Sequence, residues 1–446
     1  MTSAVRRAGA FAAVAASAAL MPVVDRVLDP ALATIAGTAP FLLLAAAALR
    51  FVESGVVFEL FARPGDRRDG RLYGLAGFSL AIAALGLLSF QFDMPVAVPV
   101  AAAFVLGAGN LATHAARAIG ADPFGATAAF VTGGALAGVV GLLISDSLVG
   151  SGPPLPEMVF LVASASLLGA LLRSVLFERD DPLVLISVGL LLWLFSDLSI
   201  SVTARGIAVA LAITIALGYV SYALETASLP GMLTGVLLSL LTIVVGDYGW
   251  FAVLITFFGG GGLASKFRYD EKVTRGIAQE NDGARGSGNV LANSLVALIA
   301  VLAAAASPQL TGRSPEVFLF VFAGSVAAAM SDTLSSEFGG LYDAPRLITT
   351  FERVEPGTDG AITWQGELAG IAGAAIIAGL AFGVFGTVGV AGAVVIVFSG
   401  IVGMTVDSLL GATLEGTWLS NQSVNFFATL AAGLLGGVLA LGVAVP

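Results

Sequence analysis

Residues 316–340 read EVFLFVFAGSVAAAMSDTLSSEFGG. After Glu316 no charge occurs until Asp332, and everything between is apolar or small. A hydrocarbon core about 30 Å thick is crossed by roughly 20 apolar residues in a helix. The stretch therefore reads as a membrane-crossing helix whose polar end begins at Asp332. Runs of this kind follow one another along the chain, separated by short polar turns. Strand-like alternation is absent, so the spanning elements are helices and not barrel strands.

The composition agrees. Of 446 residues, 57% are hydrophobic and 11% charged, with a mean hydropathy of +0.97. A soluble chain carries about 25% charged residues. The fold class expected is all-α: a polytopic transmembrane helical bundle of about 15 spans. In the second half they fall near 231–246, 249–264, 289–306, 316–331, 366–384, 389–405 and 425–444. A run near 183–200 is counted among those of the first half. The first run, after Arg6 and Arg7, reads as a retained helix and not a signal peptide.

Arginine and lysine collect on the cytoplasmic side of membrane helices. With the N-terminus cytoplasmic, Arg63, Arg67, Arg68, Arg71 and Arg117 fall inside. So do the loops 265–288 and 332–363, while Arg205 and Arg313 fall outside. The protein is expected in the cell membrane as a multi-pass chain, with its polar loops on the cytoplasmic face. Residues 1–224 form an N-terminal transmembrane region of unassigned role, and 225–446 hold the polar loops. The stretch 107–138 faintly echoes 329–370, with Asn110 standing where Asp332 does. If the two share an origin, the first copy has lost its carboxylate.

No cysteine is present and His114 is the one histidine, which excludes thiolate chemistry and histidine-based metal sites. The net charge is −10, and Lys266 and Lys272 are the only lysines. Such an acidic, lysine-poor chain suits a high-salt cytoplasm, as in a halophilic archaeon. It argues against a nucleic-acid partner.

Five stretches carry candidate chemistry. Asp332 and Glu337 end one span, and Asp407 ends another in GIVGMTVDSLLGATLEG, 400–416. Carboxylates at one depth can share a divalent cation, since magnesium takes one or two carboxylates plus phosphate oxygens and water. Ser336, Ser408 and Thr413 are hydroxyl candidates beside them. Asp and Ser also cap helix ends, so this reading competes with a structural one. In 345–370, Arg346 and Arg353 flank Thr349 and Thr350, and Gly357, Thr358 and Gly360 make a tight turn. Such loops cradle phosphates, and arginine binds them bidentately. Lys266 and Arg285 add positive charge around GGGGLASK, although no P-loop order is present. Asn289, Asn293 and Asn425 are amides at the starts of spans.

The motifs SDTLSSEFG, PRLITTFERVEPGTDGAITWQGELAG, VDSLLGATLEG and VNFFATL, with NVLANS and the glycines before Lys266, resemble one family from about residue 225 to the end. It is the integral-membrane family of unknown function 92, which includes plant phytyl-phosphate kinase. The resemblance implies a phosphotransferase with a phosphate group as acceptor. A phosphoryl group would pass from CTP or ATP to an isoprenoid monophosphate such as geranylgeranyl or phytyl phosphate. It also implies Mg²⁺ on Asp332, Asp407 and Glu337, with Arg346 joining the two aspartates in catalysis. Lys266, Arg285, Arg346 and Arg353 would hold triphosphate oxygens, and the isoprenoid tail would lie among membrane lipid. Family members often read P-P-G-T-S-G where this chain has Glu355 to Gly360, so Glu355 and Asp359 are departures. The competing expectation is a transporter or lipid flippase, which predicts polar residues deep inside the spans.

Overall fold

The computed structural model describes residues 2–150, 152–198, 200–278, 286–310 and 315–442, without the side chains of Arg179, Gln309 and Leu310. Arg285 and Arg313 lie outside the described residues. Fourteen helices among the described residues are long and apolar enough to cross a membrane. The expected count of about fifteen included the run near 183–200. Its helix, Asp181–Asp197, has 17 residues. At about 1.5 Å per residue it is roughly 26 Å long, short of a 30 Å core. Only two strands occur among the described residues, of two residues each. The chain divides into two compact units, Met1–Val209 and Ala210–Pro446, a boundary earlier than the expected 224/225. The helix Ala204–Ala223 runs through that boundary.

In the first unit, Asp-Pro pairs start two helices. Asp29 Oδ1 accepts from the N–H groups of Ala31 and Leu32 at 3.1 Å each, with Pro30 in the first helical position. Asp122 Oδ1 accepts from Gly125 N at 2.8 Å, ahead of Pro123. An aspartate cap meets orphan donors, and proline has no N–H to leave unpaired. A buried charge cluster closes one end of this unit. Arg63 Nη2 lies 2.5 Å from Asp181 Oδ2, and Arg173 Nη1 lies 3.1 Å from Asp181 Oδ1. The second pair is an ion contact without hydrogen-bond alignment. Two guanidinium groups thus enclose one carboxylate and tie the 51–72 segment to the start of the Asp181–Asp197 helix. His114 lies 3.9 Å from Glu178 beside this cluster.

The second unit holds the candidate residues. Its elements are α1 (Leu229–Leu241, extended by a π turn to Gly246), α2 (Tyr248–Lys266), the short α3 (Tyr269–Thr274), α4 (Ser287–Leu310) and α5 (Glu316–Gly339). Then come β1 (Arg346–Leu347), β2 (Ala361–Ile362), α6 (Trp364–Val384), α7 (Val390–Leu414) and α8 (Asn421–Gly442). The membrane-crossing part of α5 is 78% buried, against 33% for α6 and α7. Helix α5 is therefore the centre, enclosed by α2, α4, α6, α7 and α8. Successive spans reverse direction. The ends of α5 and α7 and the starts of α4 and α8 accordingly meet at one end of this unit, where they line a common cavity together with Thr363, the residue before α6.

Two helices outrun their hydropathy. The apolar runs end near Ser331 and Thr405, yet α5 continues to Gly339 and α7 to Leu414. Backbone bonding carries a helix past the point where apolar side chains stop. Asp332 and Asp407 consequently sit about two turns inside helices, not in loops.

Lipid offers no hydrophobic drive between helices, so packing in this medium relies on small residues and close backbones. At Gly370 of α6 a Cβ would lie 2.9 Å from the Ser331 carbonyl oxygen of α5. Ser331 Oγ in turn donates to the Gly370 carbonyl at 2.8 Å. Gly379 on the same helix has open space around its Cβ position. Gly370→Val should lower the unfolding free energy by about 1–3 kcal/mol through overpacking, while Gly379→Val should leave it nearly unchanged. Thermal unfolding of the two variants in detergent measures the difference, and equal melting temperatures would contradict the packing described.

Candidate functional site

The loop between α5 and α6 is an ordered platform. β1 and β2 pair antiparallel, Arg346 opposite Ile362 and Leu347 opposite Ala361. The Ile348 N–H donates to the Gly360 carbonyl at 3.1 Å, and Thr358 Oγ1 donates to the Glu355 carbonyl at 2.7 Å. Gly360 has φ +72°, and any Cβ there would overlap Ser408 O and Ala412 of α7. Only glycine lets the loop lie on that helix. Thr363 caps α6 by accepting from Gly366 N at 3.1 Å, and its hydroxyl donates to the Gly339 carbonyl at 3.3 Å.

Beneath this loop lies a cavity of about 840 Å³. Its lining includes Asp332, Ser336, Glu337, Asp407, Ser408, Asn289, Asn293, Asn425, Gly357, Thr358 and Gly360, all expected from the sequence. They come from α4, α5, α7, α8 and the loop, elements far apart in the chain.

The two aspartates meet because α5 and α7 run parallel. Ala328 faces Gly403. One helical turn further on, the Asp332 and Asp407 carboxyl groups lie against each other. Carboxylates in contact repel unless a proton or a cation lies between them. Asp407 Oδ1 is buried and has no hydrogen-bond partner. Hard oxygen donors of this kind, two carboxylates with water or phosphate completing the shell, fit a magnesium ion.

Glu337 stands apart from that pair. Among the described residues no three of Asp, Glu, His and Cys gather as one metal-binding group. The expected set of Asp332, Glu337 and Asp407 is therefore not gathered as one group. Glu337 Oε2 lies 2.5 Å from Lys272 Nζ. Lys272 also donates to the Ala264 carbonyl at 2.8 Å, at the end of α2. Glu337 Oε1 remains buried and unpartnered on the cavity wall.

The basic residues are elsewhere. Arg346 Nη1 donates to the Phe351 carbonyl of its own turn at 2.6 Å, exposed. Lys266 Nζ donates to the Leu224 carbonyl at 2.8 Å. Thr349 and Thr350 are exposed in the turn and Arg353 is exposed beside Arg346, and Thr413 Oγ1 bonds back to Leu409 O at 2.7 Å. None of these six lines the cavity. Arg285 is among the residues not described.

Sequence reasoning missed Lys272, Asp359, Glu415 and Gln422. The last three line the cavity, and Asn421 joins them. Lys272 had a signal, being one of only two lysines. Asp359 stood as a departure from the family pattern, and its place on the wall gives that departure a setting. Glu415 follows the end of α7. Its carboxyl is held above the usual carboxylate range, first by burial and then by the charge of Asp359, with a hydrogen bond to Asn421 acting the other way.

Apolar helices enclosing a cavity built from helix ends define a multi-pass integral membrane protein. Residues 212–433 match the family described as Integral membrane protein DUF92, and the chain belongs to it. The matched segment falls within the second unit. An uncharacterized membrane protein of Methanocaldococcus jannaschii is 38% identical over 196 residues, covering 42% of this chain and 75% of that protein. An uncharacterized membrane protein of Synechocystis is 32% identical over 207 residues, 45% of this chain and 77% of that one. Protein VTE6, chloroplastic, of Arabidopsis thaliana is a more distant relative, 30% identical over 205 residues, 44% of this chain and 60% of that protein. No solved structure matches.

Two outcomes test the electrostatics. Lys272→Met leaves a buried glutamate without its partner and should cost about 3–5 kcal/mol, whereas Lys272→Met with Glu337→Leu should recover most of the loss. Equal melting temperatures for the single and double variants would contradict a buried pair. A carboxyl whose pKa is higher folded than unfolded holds its proton better in the folded state. Its contribution is full below the unfolded value of about 4.5 and is lost as pH rises through the folded one. Without divalent cations, Glu415→Gln should therefore lose less thermal stability than the parent between pH 4.5 and neutrality. Superimposable profiles would remove Glu415 from this account.

Proposed function

We propose that the cavity of the second unit is the active site of a membrane prenyl-phosphate kinase. It would transfer a phosphoryl group from CTP or ATP to an isoprenoid monophosphate such as geranylgeranyl or phytyl phosphate. The observation that carries this reading is the contact of Asp332 with Asp407 on the cavity wall, with Asp407 Oδ1 buried and unpartnered. Support comes from the resemblance of these same stretches to the phytyl-phosphate kinases. The cavity is made of helix ends, with no lining residue more than about two turns from the mouth end of its helix. That favours an enzyme acting at the membrane face over a carrier.

In this reading an anionic oxygen of the monophosphate attacks the γ-phosphorus of the donor. The new P–O bond forms as the bond from that phosphorus to the β-bridging oxygen breaks, and the nucleoside diphosphate leaves with the electron pair. The attacking oxygen is already ionised, so no strong general base is required, in keeping with the scarcity of histidine and lysine. The chemistry is mainly positioning and charge stabilisation. Asp332 and Asp407 would hold Mg²⁺, which when bound neutralises charge developing on the phosphate oxygens. Gly357, Thr358 and Gly360 offer backbone and hydroxyl donors to the nucleotide phosphates from the loop. Ser336 and Ser408 are placed to orient the carboxylates. Arg346, Arg353 and Lys266 have no part in this arrangement. The cytoplasmic face is proposed for the cavity because the loops at its end carry Arg268, Lys272, Arg275, Arg346 and Arg353.

Purified protein in detergent, given Mg²⁺, geranylgeranyl phosphate and labelled CTP or ATP at high salt, should form the diphosphate. Asp332→Asn and Asp407→Asn should each reduce the rate roughly 100-fold or more. Folded protein that forms no product with either donor would overturn the kinase reading.

A further inference from the structure

The cavity is lined by helix ends of two kinds. α5 and α7 reach it with their C-terminal ends and bring the carboxylates of Asp332, Glu337 and Asp407. α4 and α8 reach it with their N-terminal ends and bring Asn289, Asn293, Asn421 and Asn425. N-terminal helix ends favour anions and C-terminal ends favour cations, so the peptide dipoles reinforce the side chains on each wall. Among the described residues no lysine or arginine lines the cavity. Lys272 is spent on Glu337. A phosphate held by the lining residues must then be held by neutral donors on one side and by a cation on the other.

We infer that the amide wall of α4 and α8 is the subsite for the acceptor's phosphate, a monoester on a long isoprenoid chain, and that the donor enters on the side of the 356–360 loop. This rests on the kinase reading and divides its site in two. Asn293 and Asn425 are 6% and 7% exposed. Asn293 Nδ2 donates to the Asn289 carbonyl at 3.0 Å, and Asn425 Nδ2 donates to Asn421 Oδ1 at 3.2 Å. A carboxamide nitrogen has two hydrogens. Each bond spends one and holds the amide in place, leaving the second for a ligand.

That the cavity is built for a charged ligand has separate support. Glu337 is 7% exposed and lines the cavity with Oε1 unpartnered, and Asp407 Oδ1 is likewise buried without a partner. Acceptor atoms buried in this way call for a cation or a donor from outside the protein. Depth separates the two substrates. Asn293 and Asn425 lie one to two turns inside membrane-crossing helices, where a phosphate tethered to lipid arrives. The 356–360 loop covers the end of α7, where a water-soluble nucleotide arrives.

Binding tests this without turnover. Dissociation constants are measured in detergent with Mg²⁺ for geranylgeranyl phosphate, geranylgeraniol, inorganic phosphate and CTP or ATP. The proteins are the parent, Asn293→Ala and Asn425→Ala, each first shown to melt as the parent does. Each variant should weaken geranylgeranyl phosphate about 10-fold or more, the size of a lost hydrogen bond to a charged group. Nucleotide and geranylgeraniol affinities should stay unchanged. Weakened nucleotide binding with intact lipid-phosphate binding would overturn the assignment by reversing the walls. Unchanged affinities would remove the subsite, and inorganic phosphate bound as tightly as the lipid phosphate would remove the lipid from it. Failure of the parent to form diphosphate is a separate result that overturns the kinase reading alone.

Discussion

Ala328 of α5 rests against Gly403 of α7, and that contact sets how near the two helices come. Because the helices are parallel, the spacing is carried one turn onward to Asp332 and Asp407. A larger residue at either position would separate the carboxyl groups as surely as replacing them. The same principle holds around the rest of α5, where glycine and alanine from α6, α7 and α8 admit backbones to close range. In lipid this closeness is the main source of helix association. Packing and site geometry are therefore one problem in this unit.

The chain treats its buried carboxylates in two ways. Glu337 is given Lys272, one of two lysines in the molecule, and that lysine also satisfies the carbonyl end of α2. In the first unit Asp181 is given two arginines. Asp332 and Asp407 are given each other, near the C-terminal ends of α5 and α7 where the helix dipoles also disfavour negative charge. Like charges held together at the wrong ends of helices are a cost to folding. A cation bound between the two carboxylates would offset such a cost.

The positively charged loop residues were expected to supply the phosphate contacts, and the structure uses them otherwise. Arg346 closes its own turn, and Lys266 reaches the Leu224 carbonyl. Among the described residues the donors that line the cavity are neutral: asparagine amides, hydroxyls and backbone N–H groups.

The helical class and the location of the polar helix ends could be read from the chain alone. The reason is that the bilayer imposes a length and an apolar composition on every span, and both are local properties of sequence. The carboxylates at 332 and 407, the amides at 289, 293 and 425, and the Gly357-Thr358-Gly360 turn were legible because polar residues at such ends stand out against apolar runs. What the sequence did not carry was direction. Whether Arg346 faces a cavity or its own turn, and whether Glu337 faces Asp332 or Lys272, depends on helix rotation and on contacts between segments tens of residues apart. Helix ends at Gly339 and Leu414 were hidden for a related reason, since hydrogen bonding extends a helix beyond its apolar run. The pairing of Asp332 with Asp407 was decided by tertiary structure, through the small residues one turn before each that let two parallel helices meet.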